Sequence, residues 1–268
     1  MEKYFDLYSA DFTIRCKMYF GGPEERCRQI MEAHVPSSSY FRHVILFCHG
    51  FAGHKDNAAA EKLAGRILAK HDDTALLIFN WPGHGDDEHA GITLADCDAY
   101  LSAVLDYIRD ALHPQILDCC ATSFGGYLIL KYLSDHRESP FRRICLRCPA
   151  VVMYRVLTER ILTPGELETI REGGIVPAGF DRKVLLDGAF LQSLFDQDIM
   201  VPDYRPFADK ILIVQGTDDE LIPFDAAVLF ARKNHICMNA VEGADHRFLD
   251  PAKMEIVITS FMDFLNLS

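Results

Sequence analysis

The sequence has no long hydrophobic run. No apolar stretch approaches the roughly 18 residues of a membrane span, so a transmembrane function is not expected. It lacks an excess of positive charge: 27 Lys and Arg stand against 39 Asp and Glu, a formal net charge of −12. That balance argues against nucleic acid or an anionic membrane as the main partner, and mildly against anionic substrates. The first residues, MEKYFDLYSADF, carry acids where a secretory leader would have a basic and then an apolar run. No internal repeat or low-complexity tract is visible. No G-x-G-x-x-G or Gly-Lys phosphate loop follows a strand, and no H-E-x-x-H spacing occurs, so neither a nucleotide cofactor nor a catalytic metal is expected.

What remains is a chain of 268 residues, 49% hydrophobic and 25% charged. Those are ordinary proportions for a globular protein, and a chain of this length hides roughly 70–75% of its unfolded surface. Nine cysteines are the odd feature: Cys16, Cys27, Cys48, Cys97, Cys119, Cys120, Cys145, Cys148 and Cys237. An odd number cannot all pair within one chain. Reduced thiols in a cytoplasmic protein are the simplest account.

Short apolar runs alternate with helix-length amphipathic segments. Residues 4–8 and 12–20 read as an opening strand pair. Strands follow at 43–51, 74–85 (broken by Pro82 and Gly83), 116–123, 142–153, 210–219 and 237–243. Helices are expected at 57–71, 93–112 (opened by Thr93 with Asp96 three later), 125–136, 225–234 and 251–265. Continuous apolar strands separated by helices predict a mostly parallel, doubly wound α/β sheet covered on both faces. Its sites should lie at the carboxyl ends of the strands. Residues 154–206 are too long for a simple αβ connection of roughly 2–6 residues. They hold Pro164, Gly173–Gly174, Pro177, Phe180, Phe190, Phe195 and Tyr204, and read as a cap inserted into one domain spanning 1–268.

Four strand-end features carry chemistry. Ala121-Thr122-Ser123-Phe124-Gly125-Gly126 lies between a strand and a helix. A sharp turn there strains the central serine and needs small neighbours, which is the G-x-S-x-G elbow with Ala in place of the first Gly. The bland reading is a Gly-rich helix start with an incidental serine. His49-Gly50-Phe51-Ala52-Gly53 ends an earlier strand, and alone it would be only a turn. Combined with the elbow, it makes the backbone N–H groups of Phe51 and Phe124 an expected oxyanion hole. The acids Asp218 and Asp219 follow the fifth parallel strand, and His246 follows the sixth. A serine needs a base, and the base needs a carboxylate to fix its tautomer. The order serine, acid, histidine is neither the chymotrypsin nor the subtilisin order.

Together, HGFAGHKD (49–56), NWPGHGDD (80–87), ATSFGG (121–126), GTDDELIP (216–223) and GADHRF (243–248) resemble the successive landmarks of the α/β-hydrolase superfamily over nearly the whole chain. The resemblance implies the α/β-hydrolase fold, Ser123 as nucleophile, His246 as base, and no cofactor. The family pattern, ending here at Ile222-Pro223, favours Asp219 over Asp218 as the acid. Within the superfamily, the chain is most similar to bacterial cinnamoyl/feruloyl esterases and monoacylglycerol-lipase-like carboxylesterases. The implied activity is hydrolysis of hydroxycinnamoyl or medium-chain acyl esters through an acyl-enzyme. The implied partner is a small-molecule ester; a homodimer is admissible. Thioesterase, lactonase, peptidase or acyltransferase chemistry would use the same triad, and a non-catalytic binding protein of this fold is a further alternative.

The other candidates have plainer readings. A catalytic thiol would require Cys at 123, and dehalogenases and epoxide hydrolases of this fold need Asp there. Cys145 and Cys148 are expected on opposite faces of one strand, and Cys119 and Cys120 likewise, as small packed hydrophobes. His54, His84 and His89 sit near strand ends, with Trp81–Gly85 read as a structural turn.

Overall fold

The computed structural model describes residues 1–36, 41–87 and 90–268. The opening strand pair forms a hairpin, β1 (Glu2–Tyr8) antiparallel to β2 (Thr13–Phe20). Then come α1 (Glu24–Glu32), β3 (His43–Cys48), α2 (Ala58–Leu68), β4 (Thr74–Phe79), α3 (Leu94–Tyr107), β5 (Ile116–Thr122), α4 (Phe124–His136) and β6 (Ile144–Arg147). Beyond β6 lie α5 (Met153–Val156), continued by a π-helical turn, α6 (Pro164–Arg171), β7 (Val176–Ala178), β8 (Val184–Leu186) and α7 (Gly188–Asp196). The chain closes with β9 (Ile211–Gly216), α8 (Phe224–Asn234), β10 (Cys237–Val241) and α9 (Pro251–Leu265).

Eight strands form one sheet in the order β1-β2-β4-β3-β5-β6-β9-β10. The six from β4 to β10 are parallel, and β2 joins them antiparallel to β4. Every residue of β3, β4 and β9 is buried, as expected of strands covered on both faces. Alternation sorts their side chains. Leu46, Leu77 and Cys119 enter one core with α3 and α4. Ile45, Leu76 and Cys120 enter the other with α2 and α9. All nine cysteines are unbridged, and only Cys237 is exposed.

Helix starts follow local chemistry. Asn57 Oδ1 accepts from the Ala59 and Ala60 amides ahead of α2, and Thr93 Oγ1 accepts from the Asp96 amide ahead of α3. Each supplies an acceptor for an otherwise orphaned first-turn N–H. Thr163 and Glu166 form a reciprocal capping box on α6.

Several expectations need correction. The strand expected over 142–153 stops at Arg147, because Cys148 takes φ 45° and turns the chain. As a result Cys145 and Cys148 enter the same core rather than opposite ones. The strand expected over 74–85, broken at Pro82 and Gly83, ends earlier, at Phe79, and the expected turn is present at Trp81–Gly85 with Gly83 and Gly85 at positive φ. The helix expected to 112 widens into a π-turn at Ile108–Leu112. Helix α1 was not expected: its mean composition is polar, and only Cys27 and Ile30 face the core. The β7–β8 hairpin was also not expected, since each strand has three residues, too few for a readable alternation.

The segment between β6 and β9 adds Met153, Leu157, Val184, Leu186, Phe190 and Leu194 to the core shared with α3 and α4. It therefore lies on the sheet's own hydrophobic face. Because the central strands run parallel, the turns after β3, β5, β6, β9 and β10 all emerge at one edge. That edge holds every predicted site residue.

Candidate active site

Ser123 follows β5 and precedes the first turn of α4. Its backbone sits at φ 51° and ψ −117°, a region costing a non-glycine residue roughly 1–3 kcal/mol. Its neighbours hold it there. The Ser123 amide donates to the Arg147 carbonyl (3.0 Å), and the Ser123 carbonyl accepts from the Ala150 (3.0 Å) and Tyr127 (3.1 Å) amides. A Cβ placed on Gly125 would lie 2.4 Å from the Cys48 carbonyl oxygen and 2.6 Å from that of His49. Only glycine lets α4 start this close to the end of β3. Ala121 is fully buried, so a small residue suffices there. Ser123 Oγ makes no hydrogen bond among the described residues.

The loop after β3 reaches the serine directly. A Cβ on Gly50 would lie 3.1 Å from Ser123 Cβ and 3.7 Å from its Oγ. The amides of Phe51 and Phe124 have no acceptor among the described residues. The first N–H groups of a helix have no intrahelical partner, which accounts for Phe124. The Phe51 and Phe124 rings pack edge to face at 5.9 Å, and Phe124 contacts Phe190 of α7 at 6.4 Å.

Two buried histidines support this loop. His49 Nδ1 faces the Gly50 carbonyl (2.8 Å), and its Nε2 accepts from the Trp81 amide (3.4 Å). A carbonyl only accepts, so Nδ1 carries the proton. His84 Nδ1 likewise donates to the Pro82 carbonyl (2.8 Å), and its ring stacks on Phe124 at 6.2 Å. Burial drives His49 well below the usual imidazole pKa, with His84 adding to the effect. Burial also lowers His84 to about 4. Both rings are neutral structural parts of the turn. His54 is half-buried, with Nδ1 accepting from the Asp56 amide (3.1 Å). His89 lies outside the described residues.

Asp219 and His246 meet across the loops after β9 and β10. His246 Nδ1 lies 3.0 and 2.9 Å from the two carboxylate oxygens. Asp219 also accepts from the Leu221 (2.9 Å) and Ile222 (2.8 Å) amides and from Gln215 Nε2 (2.8 Å). Its side chain is fully buried, whereas that of His246 is 10% exposed. Burial alone would raise the Asp219 pKa. The hydrogen bond and charge of His246, followed by the Ile222 amide, outweigh it and hold the carboxyl below its usual value. With Nδ1–H donating to a carboxylate, His246 Nε2 keeps a free lone pair. Asp218 is exposed and takes no part: its amide donates to the Ala244 carbonyl (3.1 Å). Glu220 accepts from the His246 amide (3.1 Å), and Thr217 Oγ1 accepts from the Gly243 amide (2.8 Å). These bonds tie the two loops together.

Two neighbours went unread in the sequence. Gln215 is the polar break at the end of the apolar run ILIVQG, four residues before Asp219, and that break was the available signal. Cys148 is one of nine cysteines, and nothing in the sequence sets it apart. Its Sγ, an Asp219 oxygen and a His246 ring nitrogen lie within 4.8 Å of one another. Burial, and then the Asp219 charge, push the Cys148 thiol well above its usual pKa. Arg147 packs over the Phe248 ring at 5.9 Å, its own pKa lowered by burial.

A cavity of about 260 Å³ opens beside this edge, walled by Tyr127 of α4, Val151 and Met153 after β6, and Leu194, Phe195 and Ile199 around α7. None of the five predicted site residues lines it. Among the described residues, no helix is long and apolar enough to cross a membrane.

A family model for the alpha/beta hydrolase fold matches residues 43–181, just over half of the chain. No curated protein matches the sequence. Among solved structures, the chain is similar to alpha/beta hydrolase domain-containing protein 10 from mouse, with 13% identity, 98% of each chain covered and a TM-score of 0.67. It is similar to Est1E from Butyrivibrio proteoclasticus with ferulic acid bound: 19% identity, 94% of this chain and 95% of that one, TM-score 0.68. It is also similar to the monoacylglycerol lipase of Paleococcus ferrophilus: 17% identity, 95% of this chain and 99% of that one, TM-score 0.60. At these identities the likeness is one of fold.

Proposed function

The chain belongs to the alpha/beta hydrolase fold family, and from that premise we propose that it is a serine carboxylesterase. The observation that carries this reading is the strained Ser123 at the elbow, on the same sheet edge as a buried Asp219–His246 pair whose free ring nitrogen is Nε2. Ser123 Oγ attacks the ester carbonyl, and His246 Nε2 takes its proton. Asp219 holds the ring in the required tautomer and stabilises the imidazolium. The unpartnered Phe51 and Phe124 amides receive the oxyanion, each such donor being worth roughly 3–4 kcal/mol. His246 then gives the proton to the leaving alcohol and activates the water that releases the acyl group. Catalytic hydrogen bonds commonly tighten only with substrate bound, so the unengaged Ser123 Oγ agrees with this sequence of steps.

Residues 154–206 act as the cap. Its cavity supports an apolar acyl or aryl group, because Tyr127 lies one turn along α4 from Ser123 and Val151 follows the residue that bonds the Ser123 carbonyl. Est1E with ferulic acid and a monoacylglycerol lipase share the fold, which supports hydroxycinnamoyl and medium-chain acyl esters as the substrates to try first. The test is turnover of p-nitrophenyl and hydroxycinnamoyl esters by wild type and Ser123→Ala, with fluorophosphonate labelling. Loss of turnover and labelling in the variant is expected. Unchanged turnover, or no labelling of the wild type, would sink the mechanism.

A further inference from the structure

We propose that Cys148, Asp219 and His246 form an inhibitory site for a thiophilic divalent cation, with Zn²⁺ as the best fit. The binding follows from the cluster itself, whereas the inhibition rests on the serine-hydrolase reading above. One thiol, one carboxylate and one imidazole present their ligand atoms within 4.8 Å of one another. Thiolate, imidazole and carboxylate together suit zinc, and three protein ligands with a fourth position for water is a zinc pattern. In a tetrahedral site with ordinary Zn–S, Zn–N and Zn–O lengths, ligand atoms stand roughly 3.3–3.7 Å apart. The thiol, at most 4.8 Å from its partners, must close by about 1.5 Å at most, and the His246–Asp219 pair at 2.9–3.0 Å must open by about 0.4 Å.

The backbone presents the thiol to this place. Cys148 is held at φ 45° by its amide bond to the Val214 carbonyl (3.0 Å) and turns its side chain into the core under Asp219. Access runs past the His246 ring, the most exposed of the three groups. Ring rotation must precede binding, and the onset of inhibition should be slow. Arg147 lies on the same patch and lowers the affinity below that of an all-anionic site.

The proton balance explains why the cation would stop turnover. Coordination needs the Cys148 thiolate, so one proton leaves the protein. His246 ligates through Nδ1, the nitrogen facing Asp219, and its proton moves to Nε2 without net loss. The nitrogen that must accept the Ser123 proton is then already protonated, and Asp219 is diverted to the metal. Coordination thus imposes the wrong tautomer on the base.

The experiment uses the reduced full chain carrying Cys237→Ser, which removes the exposed thiol. Zn²⁺ is titrated against ester turnover, and Cd²⁺ against the ultraviolet cadmium–thiolate band. Slow inhibition reversed by a chelator is expected, with about one proton released per Zn²⁺ bound. Cys148→Ser and Cys148→Ala should each raise the half-inhibitory Zn²⁺ concentration about tenfold or more relative to their own metal-free rates, and should abolish the Cd²⁺ band. Ser123→Ala should keep the band, so the site is tested even if no ester is turned over. Equal Zn²⁺ sensitivity in both Cys148 variants, or a Cd²⁺ band that both retain, would overturn the proposal.

Discussion

Acid should loosen this protein through the Trp81–Gly85 turn, whose His84 ring packs on the Phe51 and Phe124 rings. His84 is buried and neutral, with Nδ1–H bonded to Pro82 and Nε2 left without a partner. Burial lowers its pKa from 6.5 to about 4. The unfolded chain therefore binds a proton at His84 between about pH 6.5 and 4 that the folded chain refuses. Stability is full above pH 6.5 and falls as the pH drops through that window. At 1.36 kcal/mol for each pKa unit, the loss from His84 alone is about 3 kcal/mol. That amounts to roughly 6 °C in the melting temperature of a chain this long. His49, shifted the same way, adds to it. The clean perturbation is His84→Asn, whose amide nitrogen can keep the bond to Pro82 while nothing titrates. Urea denaturation at pH 7, 6, 5 and 4 should show wild type losing about 3 kcal/mol more than the variant by pH 4, with the gap opening below pH 6.5. Parallel curves for the two proteins would refute the argument.

Gly125→Ala should destabilise by about 1–3 kcal/mol, because the new methyl meets backbone oxygens that cannot give way. It should also cut kcat by about 10²-fold by displacing the proposed oxyanion donors; a thermal melt and steady-state kinetics check the two effects separately. Asp219→Asn should lower kcat by roughly 10⁴-fold, since an amide cannot enforce the Nδ1–H tautomer, while Asp218→Asn should stay within about twofold on the same ester. Asp118 is a fully buried carboxylate shared by His43, Arg142 and the Arg143 amide. Asp118→Ala should cost about 3–5 kcal/mol of unfolding free energy, with kcat on the remaining folded protein changed little, because the cluster lies at the opposite end of the strands.

Much of the fold and the candidate site could be read from residue order because the signals were local. Buried parallel strands write continuous apolar runs, as HVILFC and ILIVQG do. The turn chemistry of Thr93 marks where α3 begins. Ser123 and Phe51 are legible because each stands just past such a run, whereas His246 follows β10, a short strand that is mostly exposed. Choosing between Asp218 and Asp219 needed the family pattern, since adjacent carboxylates differ only in which way the turn points them. Gln215 and Cys148 were not legible as neighbours of the acid. Gln215 reaches the acid through the local fold of the turn after β9, and Cys148 reaches it from β6, far away in sequence, through a positive-φ turn that no residue type announces.

That turn also bears on Ser123. Ser123 and Cys148 end adjacent strands, and both sit at positive φ without being glycine. Each conformation costs roughly 1–3 kcal/mol and persists only where surrounding bonds over-determine it. Here the bonds form a ladder: Ser123 N–H to Arg147, Cys148 N–H to Val214, and Ala150 N–H back to Ser123. The strain at the serine is thus held by β6 and, through it, by β9, rather than by α4 alone. At four residues β6 is the shortest strand of the main sheet, yet the residues just past it fix the Ser123 carbonyl and bring a thiol to Asp219. A loss of serine geometry should therefore follow from damage at the β6 exit as readily as from damage at the elbow itself.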